Sequence, residues 1–578
     1  MTAPSPVTLA TSVVDFTIMS NGTPLDSAVQ VISVDVWQGV NRLPKARIVI
    51  SDGSAGQEDF PISDSQSLIP GTEISIALGY DGEVDSIFTG IINRQGLEAP
   101  VNGPPRLVVE ATDKAMVMTL TRGNAVYQNI TDSALCEKLI RDAGLTPKVS
   151  STSITQESIV QYYATPWDLM ITRAQINAMI TIVADGKVTI APPDTSSSPV
   201  LTLTFGDSIL EFKAEMDAAT QFEASSIQSY SWNPADQERA QSSTAQADIQ
   251  TPGNISSDTL SKVFGVTKYV QQTAGDLEQN ELTQWSSAEL MKSQLSKIRG
   301  SVTFQGSALA ELGKMVTLAG MGDRFNGDAW VSGVHHRLAE GLWRTSVEIG
   351  LSPNWFTDVA PNIAAPGASG QLPPANNLQT GTVSKIFADP EGEYRILVKL
   401  PLLQDNEEEG VWARLGTFYA ANGIGSFFYP EVGDEVIVGF LSGDPRYPIV
   451  LGSLYSKVNV PPFAPEEDNN TKSIMSRAKI HIDFLEDDQA VQIVTPGGQS
   501  VVINDKEKSI VLTDINSNSV TLGTSGIVIK SASDISMTAT GSITISADRA
   551  LSATGSTSAE LQSSGVATVK GATVALNP

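Results

Sequence analysis

The sequence predicts a mainly β protein with an α+β N-terminal part, a small antiparallel barrel and a C-terminal stacked β-prism. Three observations predict this fold class. Strand-like and helix-like patterns alternate over residues 1–357, five or six short strands crowd into residues 381–455, and the last seventy residues repeat an apolar pair about every eight residues. A chain of 578 residues is too long for one hydrophobic core, so several domains are expected.

Strands dominate the N-terminal part. Alternating apolar residues predict a half-buried strand in EISIALGY, and SIFTGII is expected to return beside it after the turn DGEVD. Apolar alternation also predicts strands in RLVVEATDK, SVTFQG, KMVTLAG, DAWVSGVHHRL and RTSVEIGL.

Three helices are predicted among these strands. The first spans Thr131 to Ala143, and the second opens at Thr165-Pro166, because proline suits a first turn that needs no N–H donor. The third ends before Gly300. Its apolar residues recur at spacings of three, four or their sums: Leu282, Trp285, Met291, Leu295 and Ile298.

Composition marks the segments that follow. The stretch 359–384 contains four prolines and no charged residue, which predicts an inter-domain linker at 358–380. Closely spaced strands separated by Gly, Pro and Asp turns predict a small barrel at 381–455. Residues 456–475 are interpreted as a connector, and residues 476–578 as a needle.

The needle repeats a pair of apolar residues two positions apart. From Ile527 to Ala567 the pairs recur every eight residues, with small polar residues between them. Each pair is half of a period-two strand, too short to bury a core and open at both edges. Identical chains would close these edges in a β-prism, so an obligate homotrimer is predicted. The predicted core residues are Ile510, Leu512, Val520, Leu522, Ile527, Ile529, Ile535, Met537, Ile543, Ile545 and Leu551.

The repeat is still in phase at the end of the sequence. Nine strands stacked at about 4.8 Å each would give a regular shaft of roughly 40 Å with a blunt end. Open backbone groups and an apolar rim are surfaces that proteins normally cover. A separate tip partner is therefore predicted to bind Val574, Leu576, Asn577 and Pro578.

Charge and cysteine content exclude several function classes. The net charge is −27, from 37 Lys and Arg against 64 Asp and Glu, so nucleic acid is not an expected partner. Cys136 is the only cysteine, so no disulfide can form within the chain, which suits assembly in a reducing cytoplasm. The N-terminal residues do not have a secretory-signal pattern, and no run reaches transmembrane length.

Metal binding within one chain is not expected. His335 and His336 are neighbours on a predicted strand, so their side chains point to opposite faces and cannot share one ion. The segment Asp514-x-Asn516-x-Asn518 begins like a calcium loop, but the Gly and Glu that such a loop requires are missing, and an Asx-rich turn is predicted instead. An ion held by three copies of one residue at a trimer axis stays open.

Catalytic and cofactor sites are not expected either. The sequence has no G-x-S-x-G elbow and no cysteine beside a base. Asp405 and Glu407 to Glu409 are interpreted as a solvated acidic loop. Phe427, Phe428 and Tyr429 are consecutive, so they should alternate between faces rather than form a base-stacking platform.

The barrel segment resembles a known family. Two stretches of this segment are similar to the OB-fold domain of VgrG and myophage tail-spike proteins. They are GTVSKIFADPEGEYRILVKLPLL and VWARLGTFYAANGIGSFFYPEVGDEVIVGFLSGDPRYPIVLGSLY. The segments IFTGII, LVVEATDK and GSVTFQGSALAELGKMVTLAG resemble the hub of that family, and the text from TPGGQSVVIND onward resembles its needle entry. The matching barrel positions are Trp412, Arg414, Pro430, Gly433, Asp434, Glu435, Gly443, Asp444 and Pro445.

The resemblance implies a homotrimeric central spike of a contractile injection system. Residues 1–357 would be a hub of tandem barrels, roughly 1–115 and 205–355, placed on an inner tube. The implied partners are inner-tube and baseplate proteins and a PAAR-type tip protein, with effector cargo left open. The target membrane would be met only on contraction of a phage-tail-like particle. A tail-associated cell-wall hydrolase and a passive receptor-binding fibre remain the alternatives, and the sequence does not distinguish a phage from a type VI-like or extracellular system.

Overall fold

The computed structural model describes residues 3–10, 12–403 and 410–576. The chain divides into two compact units, Met1–Pro374 and Ala375–Pro578. Strands dominate both units, as the sequence predicts. The acidic loop at 405–409 lies outside the described residues.

The described residues of the first unit, called the hub below, form twenty-one strands. They are β1 Val14–Ser20, β2 Thr23–Pro24, β3 Val31–Gly39, β4 Lys45–Ser51, β5 Glu73–Tyr80, β6 Glu83–Glu98, β7 Arg106–Thr112, β8 Gly123–Thr131, β9 Thr146–Val149, β10 Thr155–Ala164, β11 Ile180–Ala184, β12 Lys187–Ala191, β13 Leu201–Thr204, β14 Ile209–Met216, β15 Ile227–Asn233, β16 Glu238–Gln241, β17 Tyr269–Gln272, β18 Ile298–Gln305, β19 Met315–Ala319, β20 Gly327–Ala339 and β21 Leu342–Ile349.

Among the described residues, the α-helices all lie in the hub. They are α1 Pro6–Leu9, α2 Asp132–Asp142, α3 Pro166–Ile176, α4 Ser257–Ser261, α5 Gln279–Leu295 and α6 Phe356–Val359. The 3₁₀ helices are Lys114–Thr119, Gly367–Gly370, Pro401–Leu403 and Leu441–Gly443.

Thirteen hub strands form one sheet with two cores. Strands β1 to β7 surround one core, which includes Ile48, Ile76 and Val109. Strands β13, β14 and β18 to β21 surround a second core, which includes Val302 and Val347. The two sets of strands are called the first and second halves below.

Strand β20 joins the two halves by changing its pairing partner. Its first residues pair with β19, from Gly327↔Leu318 to Trp330↔Met315, and its later residues pair with β3, from Gly333↔Gly39 to Ala339↔Ser33. The two barrel-like parts expected of the hub are therefore joined as halves of one sheet. The backbone groups of β20 that could close one half are used to join it to the other. Within the described chain, the closed barrel is in the second unit.

Local signals placed the three main helices correctly. The Thr131 hydroxyl accepts a hydrogen bond from Ala134 N (3.2 Å), and the Thr165 hydroxyl accepts one from Asp168 N (3.0 Å), so each threonine caps the helix predicted to start there. The third helix ends at Leu295, and the prediction that it includes Ile298 is wrong. Its spacing suits a helix, but Ile298 pairs with Met216 at the start of β18 and packs in the second core.

The second unit begins with a closed five-stranded barrel, and its strand order is β22-β23-β24-β28-β27. The strands in this region are β22 Gln379–Lys385, β23 Ile396–Lys399, β24 Val411–Leu415, β25 Ala420–Ala421, β26 Ile424–Gly425, β27 Glu435–Phe440 and β28 Pro448–Ser453. Buried side chains such as Val383, Val398 and Val436 fill the barrel. This is the small barrel that the spacing of turn residues predicted.

A seven-stranded antiparallel sheet follows the barrel and is called the needle sheet below. Its strands, each paired with the next, are β29 Thr471–Met475, β30 His481–Leu485, β31 Ala490–Val494, β32 Ser500–Asn504, β33 Ser509–Thr513, β34 Ser519–Gly523 and β35 Gly526–Lys530. Residues 471–475, predicted as connector, instead form the first strand because they pair with β30.

The octad strands predicted beyond Lys530 do not form within the single chain, since residues 531–576 contain no strand in the described structure. An apolar pair spans only three residues, and one chain offers these short segments no neighbouring ladder.

Candidate functional site

The needle sheet has one apolar face, built from two residues on each of six strands. The antiparallel register aligns two columns of side chains across β30 to β35. One column contains Ile482, Ile493, Val501, Leu512, Val520 and Ile529, and the other contains Phe484, Val491, Ile503, Ile510, Leu522 and Ile527. Side chains two apart on a strand share a face, so all twelve project to the same side.

The structure brings together six of the predicted core residues on this face. They are Ile510, Leu512, Val520, Leu522, Ile527 and Ile529. The other six residues of the two columns were missed, because KIHIDF, AVQIV and SVVIND were interpreted as an irregular lead-in. Their signal is the same apolar pair recurring at nine or ten residues rather than eight, as the strand starts at 481, 490, 500 and 509 show.

This apolar face is uncovered in the single chain. Ile527 and Ile529 are 70% and 61% exposed, and Ile493, Ile503 and Leu512 are also exposed. Part of the face, with Val501 and Val520, lines an open cavity of about 570 Å³. Continuous exposed apolar surface of this kind marks an interaction site, because burying each such side chain contributes roughly 1.5–3 kcal/mol.

The opposite face of the needle sheet is more polar. Its central column is Asp483, Gln492, Val502, Val511, Thr521 and Val528, and it is flanked by Ser, Thr and Asn. Gln492 Nε2 donates to Asp483 Oδ2 (2.8 Å). Three of the six residues in this column are polar, so this face is less apolar than the two-column face.

The Asx-rich turn predicted between β33 and β34 is confirmed. Asp514 Oδ1 accepts hydrogen bonds from Asn516 N (2.9 Å) and Asn518 N (2.8 Å), and Oδ2 accepts one from Asn518 Nδ2 (2.8 Å). These bonds hold the pKa of the Asp514 carboxyl below its ordinary value. Both carboxylate oxygens serve the turn.

The remaining predicted core residues lie in the part without strands. Ile535, Met537, Ile543, Ile545 and Leu551 are all exposed, and no ladder brings them together in the single chain. At the tip, Val574 and Leu576 are exposed as well. Asn577 and Pro578 lie outside the described residues. The assignment of these side chains to a core and to a tip interface stays a prediction.

The family-motif residues of the barrel support its turns. Gly433 N donates to Val383 O (2.8 Å), and Val383 N donates to Asp434 O (2.9 Å), which fixes the turn into β27. The Asp444 carboxylate accepts from the Arg446 guanidinium (2.7 Å), which lowers the pKa of Asp444.

The other motif positions lie on β24 or at turns. Trp412 pairs with Leu397, and Arg414 pairs with Ile449. Gly443 O accepts a bond from Ala375 N. Glu435 is the first residue of β27, and Pro430 lies in the segment that leads into this strand. Pro445 lies just before β28. The motif residues therefore belong to the turns and strand pairs that close the barrel.

The hub histidines face opposite sides of β20, as predicted. His335 Nε2 lies 2.9 Å from Asp35 Oδ1, and its ring stacks on Trp37. His336 is buried with Nδ1 2.9 Å from Thr345 Oγ1, and burial lowers its pKa to about 3, so it is neutral. Within the described ranges, no three His, Cys, Asp or Glu side chains are grouped as a metal site requires.

Other buried ionisable groups of the hub have structural contacts. Burial raises the pKa of the Cys136 thiol to about 12, so it is not a thiolate at neutral pH. Lys292 Nζ donates to Asn354 O (2.6 Å), and burial lowers its pKa to about 8. Glu289 Oε2 accepts from Trp355 Nε1 (2.8 Å). These two α5 residues fasten the segment through which the chain leaves the hub sheet.

Two family models match the chain. Residues 10–340 match the family described as the Alg8 N-terminal domain, and residues 379–455 match the type VI secretion system/phage-baseplate injector OB domain. No helix in the described ranges is long and apolar enough to cross a membrane.

Curated relatives are similar over a short region. The spike protein VgrG3 of Vibrio cholerae serotype O1 is 37% identical over 100 residues, which is 17% of this chain and 9% of the relative. The actin cross-linking toxin VgrG1 of the same species is 35% identical over 100 residues, with the same coverage. VgrG1c of Pseudomonas aeruginosa is 36% identical over 86 residues, 14% of this chain and 12% of the relative. The barrel's resemblance to VgrG-like spike proteins is thus confirmed, although the chain spans about a tenth of the length of these relatives.

Several solved structures show distant likeness. A 43 kDa prophage tail protein from Shewanella oneidensis has a TM-score of 0.44 at 10% identity, covering 59% of this chain and 98% of that chain. An Escherichia coli component of the type VI secretion system has a TM-score of 0.38 at 14% identity, covering 76% and 99%.

Proposed function

We propose that this chain, which belongs to the Alg8 N-terminal domain family by the match of residues 10–340 of 578, is the structural central spike of a contractile injection system. The observation that carries the proposal is the uncovered two-column apolar face of the needle sheet. A face of this kind, placed directly after an injector-type barrel, suits a shaft assembled from several chains.

The partner that covers this face is a set of identical chains, and three is the number that the VgrG resemblance implies. Two further copies of the same face would enclose all the columns in one prism. The octad segments beyond Lys530 support this assembly, because their short apolar pairs have no neighbouring strand in one chain. Interchain ladders would supply both the missing hydrogen bonds and the missing burial.

The hub would join this threefold shaft to an inner tube. The large sheet of each hub surrounds two cores. Three chains would then present six such halves, which suits contact with a sixfold tube. Inner-tube and baseplate proteins are the partners of this surface.

The work of the spike would be mechanical. Contraction of a sheath would drive the rigid shaft through an envelope, so the chain itself needs no catalytic site, and the target membrane is met only at that moment. The side chains support this role, because the neutral His336 and the protonated Cys136 are both engaged in packing. The chain would be assembled in the cytoplasm and released within a phage-tail-like particle.

The tip would carry a separate conical protein of the PAAR type. The exposed Val574 and Leu576 would supply an apolar seat for it, together with Asn577 and Pro578.

A truncation tests this proposal. Deleting residues 571–578 from the full chain is expected to abolish co-purification of the tip protein, because its apolar seat is removed. Light scattering should still give the trimer mass, since the columns of β30 to β35 are intact. Undiminished binding of the tip protein would place its site elsewhere, and a truncated monomer would show that the last octad, rather than the sheet, holds the trimer.

A further inference from the structure

The second strand of the needle sheet places a histidine beside a buried aspartate on the less apolar face. His481 and Asp483 lie two positions apart on β30, so their side chains project to the same side. His481 Nε2 lies 3.4 Å from Asp483 Oδ2, and the Asp483 side chain is 2% exposed. A buried carboxylate is unfavourable unless a positive charge or hydrogen-bond donors compensate it. Compensation for Asp483 must therefore come from its immediate neighbours.

The distance between His481 and Asp483 is longer than the hydrogen bond of an ion pair. Charge-assisted N–H···O bonds are about 2.7–2.9 Å long. The hub contains such a pair, because His335 Nε2 and Asp35 Oδ1 lie 2.9 Å apart. The other ring nitrogen of His481, Nδ1, lies 2.9 Å from Lys479 O, which can only accept a hydrogen bond. In the neutral ring, Nδ1 therefore carries the proton and the lone pair of Nε2 faces Asp483.

Two oxygen atoms beside this pair are buried without a hydrogen-bond partner in the described structure. They are Asp483 Oδ1 and Ser473 Oγ. Ser473 on β29 is the cross-strand neighbour of Asp483, so the two side chains share a face with their Cβ atoms about 4.5–5.5 Å apart. Asp483 Oδ2, by contrast, accepts a hydrogen bond from Gln492 Nε2 (2.8 Å). Buried polar atoms without partners are rare in folded proteins, and a bound ion is one explanation for them.

The separation of the nitrogen and oxygen atoms fits one divalent transition-metal ion. Zinc binds imidazole nitrogen and carboxylate oxygen at about 2.0–2.2 Å with tetrahedral geometry, which places two ligand atoms about 3.4 Å apart. His481 Nε2 and Asp483 Oδ2 have this separation. The hydrogen bond from His481 Nδ1 to Lys479 O is the kind of outer contact that orients metal-binding imidazoles.

We infer that His481, Asp483 and Ser473 form a site for a divalent transition-metal ion of the zinc type at the base of the needle sheet. Only two of these residues belong to the usual ligand classes, so the Ser473 hydroxyl would be the third protein donor and water the fourth. The ion would neutralise the buried carboxylate and join β29, which lies at the edge of the described sheet, to β30. Access runs past the His481 side chain, which is 18% exposed.

The site goes beyond the proposed function and does not depend on it, because all three ligands come from one chain. Ser473 lies ten positions before Asp483 in the sequence, and only the pairing of β29 with β30 brings it to the same place. The pattern of the sequence therefore gives no sign of this site.

Zinc binding by the intact chain tests the inference. The protein is stripped with EDTA and dialysed against Zn²⁺ in excess Mg²⁺, because Mg²⁺ occupies the exposed carboxylates of a chain with a net charge of −27. One bound zinc ion per chain is expected at saturation. His481→Gln and Asp483→Asn should each abolish this binding, and Ser473→Ala should weaken it.

Asp35→Asn is the matched control, because it alters the other pair of histidine and aspartate in the chain. His335 and Asp35 already make a hydrogen bond of 2.9 Å, so this variant should still bind one zinc ion. Amide hydrogen exchange of the wild-type chain gives a second readout that needs no variant. Zinc should slow exchange in residues 471–485, because the ion joins the two strands of that segment.

Three results would overturn the inference. If the wild-type chain binds no zinc, His481 and Asp483 form an ordinary ion pair only. If Asp483→Asn binds as much zinc as the wild type, the ion lies elsewhere. Unchanged exchange in residues 471–485 on addition of zinc would also contradict the site. Each of these results leaves the proposed spike intact, since its trimer is measured separately by light scattering.

Discussion

Leu512→Asp is expected to abolish the SDS-resistant trimer of the needle. Leu512 lies in the middle of one apolar column, between Val501 and Val520. In the proposed assembly the variant would bury three carboxylates close together, which costs several kcal/mol unless they are neutralised. The measurement is gel migration of unheated samples in SDS, together with protease resistance of the C-terminal segment.

Thr521→Asp is the matched control for this variant. It introduces the same carboxylate into the neighbouring strand on the opposite face, between Val511 and Val528. That face is expected to remain in contact with solvent, so the trimer band should persist. Equal loss of the trimer in both variants would show that the two faces have been assigned wrongly.

Trp343→Ala is expected to destabilise the hub by about 3–5 kcal/mol, the usual range for removing a buried tryptophan. Trp343 belongs to the second half in sequence but is 1% exposed and packs in the core of the first half, stacked on Tyr80. Its loss should therefore weaken the contact between the halves. The measurement is the denaturant midpoint of the hub transition, with the SDS resistance of the needle unchanged.

Trp232→Ala provides the comparison, because Trp232 is 48% exposed on β15. Its truncation should leave the hub midpoint nearly unchanged. If the two variants shifted the midpoint equally, the side chain of Trp343 would not be holding the two halves together.

Local patterns in the sequence predicted the elements but not the long-range pairing of the hub. The strand predicted in EISIALGY is β5, and the helices predicted to start at Thr131 and Thr165 are α2 and α3. The pairing of β20 with β3 joins His336 to Val36, which lies 300 positions earlier in the chain. Nothing in either strand specifies that partner, because alternation shows which face is buried but not which strand lies alongside.

The needle shows a second limit of prediction from the sequence. The apolar pairs correctly predicted which side chains share a face, as Ile510 and Leu512 demonstrate. The eight-residue repeat predicted regular strands after Ile527. The strands of the single chain lie mostly before Ile527, and most of them start nine or ten residues apart. Strands β34 and β35 start seven residues apart and still pair within the chain, so the length of the repeat alone does not decide which apolar pairs form strands.

The aromatic run at residues 427–429 was visible in the sequence, but its exposure was not. The alternation predicted for Phe427 to Tyr429 agrees with the structure, in which the first and third rings lie side by side. Exposure of Phe418 and Phe428 could not be deduced from the pattern, since apolar residues in a small barrel usually fill its core.

The central claim is that three copies of this chain bury the apolar face of the needle sheet. Light scattering coupled to size exclusion, on the intact chain over a dilution series into the micromolar range, measures this directly. The expected result is a constant mass of three times 61.3 kDa, because strands that complete one another between chains do not dissociate without unfolding. A folded monomer of 61.3 kDa at micromolar concentration would contradict the claim.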